Sequence, residues 1–543
     1  MDREAATVPS PPAGRPGAWP AWAVAWLAVG ALLRCAWLTR QSLWWDEGYS
    51  LYVSGGATLA DTVERLRTGL PNDRLMPLYY FVLQGWRQAF GQGEVALRAL
   101  SVLCGVGSLG FLYLAARRAF GPGHALWTLA LAATSSVHVY YSQEVRMYAP
   151  ILLLCSAQLY AYLGAVERPE ATGPRRLLGV TTALGTLTQV TVGLYGVALA
   201  LADLIVPPGA RGWLRRWWPT LALLVPVAAY VATVALGGGR PRADDQARPA
   251  ALLRNLAFVP YGLAVGMTYG PPIDELRGAG AARALLADWP RQVALVAVLA
   301  AAAAAMVASL RRGGWPRPVT RSAARLLLAA GLSMALMAAF ALATGLNWLP
   351  RHTLFVMTTL AVVAPLAARR PAPTGRDPML VTGRIALVLL IALNLDSLTR
   401  YYFDGRHARD DYRAAARYLR DDPGARGRAV LLSGDLGLLS YYGDRGVLDA
   451  RQVPWHRLAA WVEAAAGDAD RVLLVVNREH YWYHKQGATG RDDLIGRGMG
   501  PAYRRESIRS FKRIKIYQFT KVKSRPDADR DRAPRAPARS ASG

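Results

Sequence analysis

Apolar residues in this chain come in long blocks, not in the three-and-four spacing of a helix lying on a soluble core. Residues 21–38, 96–116 and 293–310 each approach the ~20 residues that a helix needs to cross the bilayer interior. Comparable blocks cover 124–140, 149–166, 217–236, 323–344, 353–368 and 380–395, and the run 177–206 is long enough for two helices turning near Gln189. The pattern therefore predicts about 11 membrane spans. Residues 77–90 are apolar and aromatic but short and interrupted by Gln84, Arg87 and Gln88, so a helix lying in the membrane interface is expected there. Residues 237–290, rich in Gly, Pro and charge, read as a large loop on the outer side.

From about residue 404 the periodicity becomes that of a soluble domain. Helical spacing over 410–420 alternates with short apolar runs at 429–433 and 472–476 that read as buried strands, and the alternating segment 507–520 reads as a closing strand. A small α/β unit follows from that alternation. The predicted organisation is a tail over 1–18, a polytopic, mainly α transmembrane bundle over 19–400, an extracytoplasmic α/β domain over 404–520 and a polar tail over 521–543.

Charge changes this picture by giving it a direction. With 64 Lys and Arg against 37 Asp and Glu the net charge is +27, which invites a nucleic-acid reading. The cations, however, are clustered between apolar blocks: Arg117-Arg118, Arg175-Arg176, Arg211 with Arg215-Arg216, Arg311-Arg312 and Arg369-Arg370 fall at alternate ends of successive spans. Retention of positive charge inside explains that placement, and no nucleic-acid-reading module accompanies it. The N-terminus is then inside and the C-terminal domain outside. The first block lacks a small-residue cleavage site and reads as a retained helix. Cys35, Cys104 and Cys155 lie in apolar runs without metal-ligand spacing and read as small core residues. No nucleotide-binding Walker loop or dinucleotide glycine fingerprint is present, which argues against ATP-driven pumping.

Candidate chemistry sits at the ends of the blocks. Asp46 and Glu47, flanked by Trp44, Trp45 and Tyr49, follow the first span; a carboxylate so placed can take a proton from an acceptor hydroxyl, while an aromatic belt with solvated acids is the plain alternative. Gln143-Glu144-Val145-Arg146-Met147-Tyr148 is a polar patch between two apolar blocks on the same expected face. Glu144 could order an acceptor and Arg146 offers a forked donor to phosphate, against a simple helix-capping pair. Arg351 and His352, beside Trp348, could meet a lipid-linked phosphate or simply snorkel. Asn72-Asp73-Arg74 ahead of Pro77-Leu78-Tyr79-Tyr80 reads as a cavity wall or a turn. His480 and His484 have metal-ligand spacing on a helix but no acidic third ligand.

Taken together, Trp45-Asp46-Glu47-Gly48-Tyr49-Ser50, Met76-Pro77-Leu78-Tyr79-Tyr80 and Tyr141-Ser142-Gln143-Glu144-Val145-Arg146-Met147-Tyr148-Ala149 resemble bacterial members of glycosyltransferase family 39. These are membrane proteins of the glycosyltransferase-C superfamily, related to protein O-mannosyltransferases. Pro350-Arg351-His352 is similar to the family's Pro-Arg-Tyr start of a late helix, with His352 in place of Tyr, and Gly266-Met267-Thr268-Tyr269-Gly270-Pro271 resembles an outer-loop signature. Leu75-Met76-Pro77 stands where many relatives have His-Pro-Pro or Asn-Pro-Pro.

The resemblance covers most of residues 20–400. It implies a polyprenyl-phosphate-linked sugar donor, an acceptor (lipid, polysaccharide or protein) reached from the outer face of the bacterial cytoplasmic membrane, and inversion at the anomeric carbon. It makes Asp46 the base, with Glu47 and Glu144 positioning it and Arg146 or Arg351 facing the phosphate; Gln143, Tyr148, His352 and Tyr79 complete the expected substrate-binding set. A divalent cation is compatible with the family and not required by the sequence. The competing reading is a transporter or flippase of a lipid-linked saccharide, which would show paired repeats and polar groups at mid-span.

Overall fold

The long apolar blocks fold as helices, because in hydrocarbon a backbone must satisfy its own hydrogen bonds. The computed structural model describes residues 19–207, 209–237, 249–277, 281–312, 315–369, 377–421, 427–434, 437–443, 446–467, 469–487 and 493–522. Two compact units emerge, one of residues 1–40 with 50–407, the other of 41–49 with 408–543.

The first unit begins with α1 (Ala21–Cys35) and, after the segment taken by the second unit, the end of α2 (Trp45–Val53). Helices α3 (Leu59–Thr68), α4 (Pro77–Phe90), α5 (Glu94–Phe120), α6 (Pro122–Thr134), α7 (Ser136–Ser142), α8 (Tyr148–Glu167), α9 (Thr172–Thr188) and α10 (Thr191–Ile205) follow. Beyond them come α11 (Trp213–Gly237), α12 (Pro249–Val265), α13 (Ile273–Arg277), α14 (Ala281–Ala287), α15 (Trp289–Arg311), α16 (Arg317–Thr344), α17 (Leu354–Val363) and α18 (Pro378–Phe403). In the bundle α5 lies along α6 and α8, α8 along α9, α10 along α16, and α15 along α18.

Among the described residues, seven helical segments are long and apolar enough to cross a membrane: α5, α8, α11, α15, α16, α18 and the stretch Pro350–Ala368 that contains α17. The other expected spans are shorter. Helices α1 and α10 have 15 residues and α9 has 17, with the break between α9 and α10 at Gln189, whose backbone is extended. The expected span over 124–140 is interrupted at Ser135, where α6 stops and α7 starts. That break strands carbonyls at the end of α6, and a buried cation from α1 takes them up: Arg34 Nη1 donates to Ala133 O at 3.1 Å and Nη2 to Ala132 O at 3.1 Å.

Three expectations are corrected. Residues 237–290 hold α12, α13 and α14 where a loop was expected; Gly, Pro and charge at the edges of the segment hid the apolar run that ends in Val265. Helix α12 is tied into the bundle by Asn255 Nδ2 donating to Asn347 Oδ1 at 3.0 Å, and its end by Ser136 Oγ donating to Val265 O at 2.6 Å. Cys35 is exposed on the protein surface, while Cys155 is buried and Cys104 intermediate, so apolar surroundings in sequence do not mean a protein interior when lipid is the neighbour.

The third correction lies in the second unit, where 507–520 is not one strand but parts of two. The sheet has β1 (Arg428–Ser433), β2 (Val447–Asp449), β3 (Arg471–Asn477), β4 (Tyr503–Phe511) and β5 (Ile514–Lys521) in the order β2-β1-β3-β5-β4. Strands β1, β2 and β3 are parallel; β5 runs antiparallel to both β3 and β4. Val472, Leu473, Leu474, Val475 and Val476 are all buried, as a central strand covered on both faces requires. Strand β4 is mostly exposed and carries Arg504, Arg505 and Arg509, charges that keep an open edge from pairing further. Helix α19 (Tyr412–Asp421) lies against β5, with Tyr412, Ala415, Ala416 and Leu419 buried.

Candidate active site

The loop between α7 and α8 is built inward. Glu144 is 1% exposed, and its carbonyl accepts from Ser101 Oγ at 2.6 Å and from Arg146 N at 2.8 Å, which holds the turn against α5. Gln143 spends its amide hydrogens on the end of α1, donating to Arg34 O at 2.9 Å and Ala36 O at 2.8 Å. Arg146 Nη1 donates to Ser50 Oγ at 3.3 Å, and its guanidinium stands 5.9 Å from the Tyr148 ring. The Tyr148 ring in turn meets Tyr141 edge-on at 4.7 Å.

Arg351 joins this group: buried Tyr141 lies within electrostatic range of Glu144, Tyr148 and Arg351 together. One acid, two arginines and two tyrosines thus share a neighbourhood in the first unit. His352 is tied into its own turn. Its Nδ1 accepts from Leu349 N at 3.2 Å, closing the turn Pro350–Thr353, and its carbonyl accepts from Thr191 Oγ1 at 3.2 Å. That acceptor role leaves the neutral ring's proton on Nε2. Tyr79 is 2% exposed on α4, 5.6 Å from the Tyr80 ring. Tyr80 donates its hydroxyl to Asp73, which is buried, so the Asp73-Arg74 segment is a braced turn. The outer-loop signature is braced likewise: Thr268 Oγ1 donates to Ser397 O at 2.8 Å, and Gly266, at φ +78°, sits where a Cβ would press on Ser136.

Close approach beneath the Glu144 loop depends on one glycine. A methyl group at Gly105 on α5 would collide with the Ser142 side chain, whose Oγ already donates to His138 O at 2.6 Å. Gly105→Ala is therefore expected to cost about 1–3 kcal/mol of stability by overpacking. The thermal unfolding midpoint in detergent reads this directly, and an unchanged midpoint would mean the helices can separate at no cost.

Asp46 and Glu47 belong to the second unit and open α2, where negative charge suits the helix N-terminus. Glu47 is fully buried; its Oε2 accepts from Trp44 N at 3.3 Å and faces Arg409 Nη1 at 3.3 Å. Asp46 is half-buried. The sequence reading missed Arg409 and its neighbour Asp410; the signal available was the charged run Arg406-His407-Ala408-Arg409-Asp410-Asp411 at the start of the soluble domain. Outside this group, Arg406 bonds Asp404 at 2.8 Å and, chiefly through that side-chain contact, holds its carboxyl down to about 2. Among the described residues, no three His, Cys, Asp or Glu side chains gather as metal ligands. The side chain of His484, half of the pair with His480, lies outside the described residues.

A sequence profile of the family described as dolichyl-phosphate-mannose-protein mannosyltransferase matches residues 74–236, under a third of the chain. No curated protein matches in sequence. Among solved structures, ArnT from Cupriavidus metallidurans in the apo state superposes with a TM-score of 0.51 at 13% identity, over 92% of this chain and 97% of that one. The chain has the glycosyltransferase-C fold. ArnT bound to undecaprenyl phosphate gives 0.47 at 13% identity, covering 92% and 98%. The Archaeoglobus fulgidus oligosaccharyltransferase complexed with Zn and sulfate gives 0.49 at 12%, covering 89% of this chain and 71% of that one. The profile match lies within the region where the motifs resemble glycosyltransferase family 39, and the chain, of glycosyltransferase-C fold, is an integral membrane protein.

Proposed function

We propose that the chain is an inverting glycosyltransferase that moves a sugar from a polyprenyl-phosphate donor to an acceptor at the outer face of the bacterial cytoplasmic membrane. The observation that carries the reading is buried Glu144, held against α5 by Ser101, two positions before Arg146, whose guanidinium reaches Ser50 and the Tyr148 ring, in a bundle of glycosyltransferase-C fold. A charged group of this kind is costly at a membrane boundary and marks function by default. The name of the matching family, with its lipid-phosphate mannose donor, supports the donor class. The alternation of arginine clusters supports an inside N-terminus and an outside C-terminal domain.

In the reaction, an acceptor hydroxyl attacks the anomeric carbon from the face opposite the phosphate, and the bond between that carbon and the phosphate oxygen breaks. Asp46 takes the hydroxyl proton. The electron pair of the broken bond leaves on the polyprenyl phosphate, whose growing charge is met by Arg146 and Arg351 as forked donors. Glu144 orders the acceptor, and Tyr148 and Tyr79 take part in binding the substrate.

The test is transfer by purified full-length protein in lipid, offered a panel of polyprenyl-phosphate sugars and lipid, polysaccharide and peptide acceptors. Transfer from at least one donor with inverted configuration is expected. Movement of a lipid-linked saccharide across the bilayer without any sugar transfer would replace the enzyme by a flippase.

A further inference from the structure

The C-terminal unit does more than follow the bundle in sequence: it grips the segment that carries the acidic pair. Within that unit, Ser42 Oγ donates to Asp410 O at 2.7 Å, Arg409 N donates to Gln41 Oε1 at 3.1 Å, and Leu43 N donates to the Tyr442 hydroxyl at 2.7 Å. The guanidinium carbons of Arg409 and Arg478 stand 5.9 and 5.7 Å from the Trp44 ring, within cation–π range. The Glu47–Arg409 pair closes the arrangement with side chains that are 0% and 4% exposed.

What holds Arg409 is itself over-determined. The next residue, Asp410, is fully buried and receives Asn477 Nδ2 at 3.1 Å, Arg478 Nη2 at 3.4 Å and Arg513 Nη1 at 3.4 Å. Arg478 and Arg513 reach it from left-handed backbone, at φ +49° and +59°, a region that residues with side chains rarely adopt. The two bends are locked together by Arg478 N donating to Arg513 O at 2.7 Å. Both arginines thus converge on one carboxylate, Arg513 from the turn between β4 and β5.

We infer that Arg409 is a positioning residue for transfer, clamping Glu47 so that Asp46 is presented at a fixed angle on the first turn of α2. This rests on the reading of Asp46 as the base. Consecutive helical positions point about 100° apart, so a neighbour held rigidly fixes the direction of the next side chain. Glu47, buried between Arg409 and the Trp44 amide, is committed to geometry, and Asp46, the residue before it on the same turn, is half-buried.

The experiment compares wild type, Arg409→Gln, Arg409→Lys, Glu47→Gln and the double Glu47→Gln/Arg409→Gln, as full-length protein in lipid. Each single Gln variant is expected to lower kcat about 100-fold, the loss that misplacement of a reacting group by about 1 Å brings, with donor KM within about twofold. The double variant is expected to lose no more than either single, because both break one clamp. Arg409→Lys keeps the charge but not the fork, and is expected to recover part of the rate. Losses that multiply in the double variant, or a loss confined to KM, would overturn the inference.

Hydrogen exchange separates this outcome from failure of the transferase reading. Amides of 41–49 are expected to exchange faster in Arg409→Gln while those of β3 stay protected, showing a folded unit with a released segment. Unchanged exchange at 41–49 overturns the clamp whatever the protein does with donors. Faster exchange in a protein that transfers from no donor leaves the clamp standing and sinks the transferase.

Discussion

Asp46→Asn is expected to reduce sugar transfer by about 10²–10⁴-fold, the contribution of a positioned general base, while leaving donor KM and the thermal unfolding midpoint nearly unchanged. The change keeps the side chain's size and removes its basicity. It differs from the Arg409 variants in one respect: no conservative replacement on the C-terminal unit can restore a missing proton acceptor. The rate is read with a labelled polyprenyl-phosphate sugar in proteoliposomes. Equal transfer by Asp46→Asn and wild type would remove Asp46 from the chemistry and move attention to Glu144.

The largest expected effect on stability lies elsewhere in the bundle. Asp203 on α10 is fully buried; Arg216 Nε of α11 and Trp217 Nε1 reach its Oδ2 at 2.9 and 3.1 Å, and Arg325 Nε of α16 faces its Oδ1 at 3.5 Å. Arg216 and Arg325 also donate to the carbonyls of Gly209 and Pro207, which leaves the trio braced but with two cations to one acid. Asp203→Ala strands both guanidiniums in a buried setting and is expected to cost about 3–5 kcal/mol. The triple change Asp203→Leu, Arg216→Met and Arg325→Met is expected to recover most of that, since removing every charge leaves no ion to desolvate. Chemical or thermal unfolding in detergent decides it. A midpoint for Asp203→Ala equal to that of wild type would mean water reaches the two arginines.

How far the sequence could be read depended on what each signal measures. Hydrophobic blocks report lipid and interior alike, so they located α5, α8, α15 and α16 but overlooked that the block 124–140 breaks at Ser135. Repairing that break takes a cation from another helix. Arg34 was visible as a charge inside an apolar run, the kind of residue that demands a partner, yet nothing in the run names Ala132 and Ala133 as its acceptors. Asp203 and Arg325 gave the same kind of signal, whereas Arg216 was absorbed into the topological count of arginine clusters. Strands β1 and β3 were legible because a covered parallel strand is apolar at every position. The β4–β5 hairpin was not, since its turn at Lys512 and Arg513 contains neither Gly nor Asn and uses a left-handed arginine instead.

The site divided in the same way. Glu144 with Arg146 could be picked out by local pattern, because a polar patch between two apolar blocks has few structural uses. The role of Gln143 in securing the end of α1 could not, because its partner Arg34 O is 109 positions away. Arg409 lay beyond reach for the same reason: its partner Glu47 is 362 positions away, and pairing at that distance leaves no local trace.

That separation has a consequence for how the protein comes into being. Ribosomes add about 5–20 residues per second, so Glu47 leaves the synthesis machinery some tens of seconds before Arg409 exists. During that interval the N-terminal acids lack the Arg409 contact, and a nascent or prematurely terminated chain can insert its helices before that contact exists. On the proposed mechanism, the base acquires its mount only when translation is nearly finished.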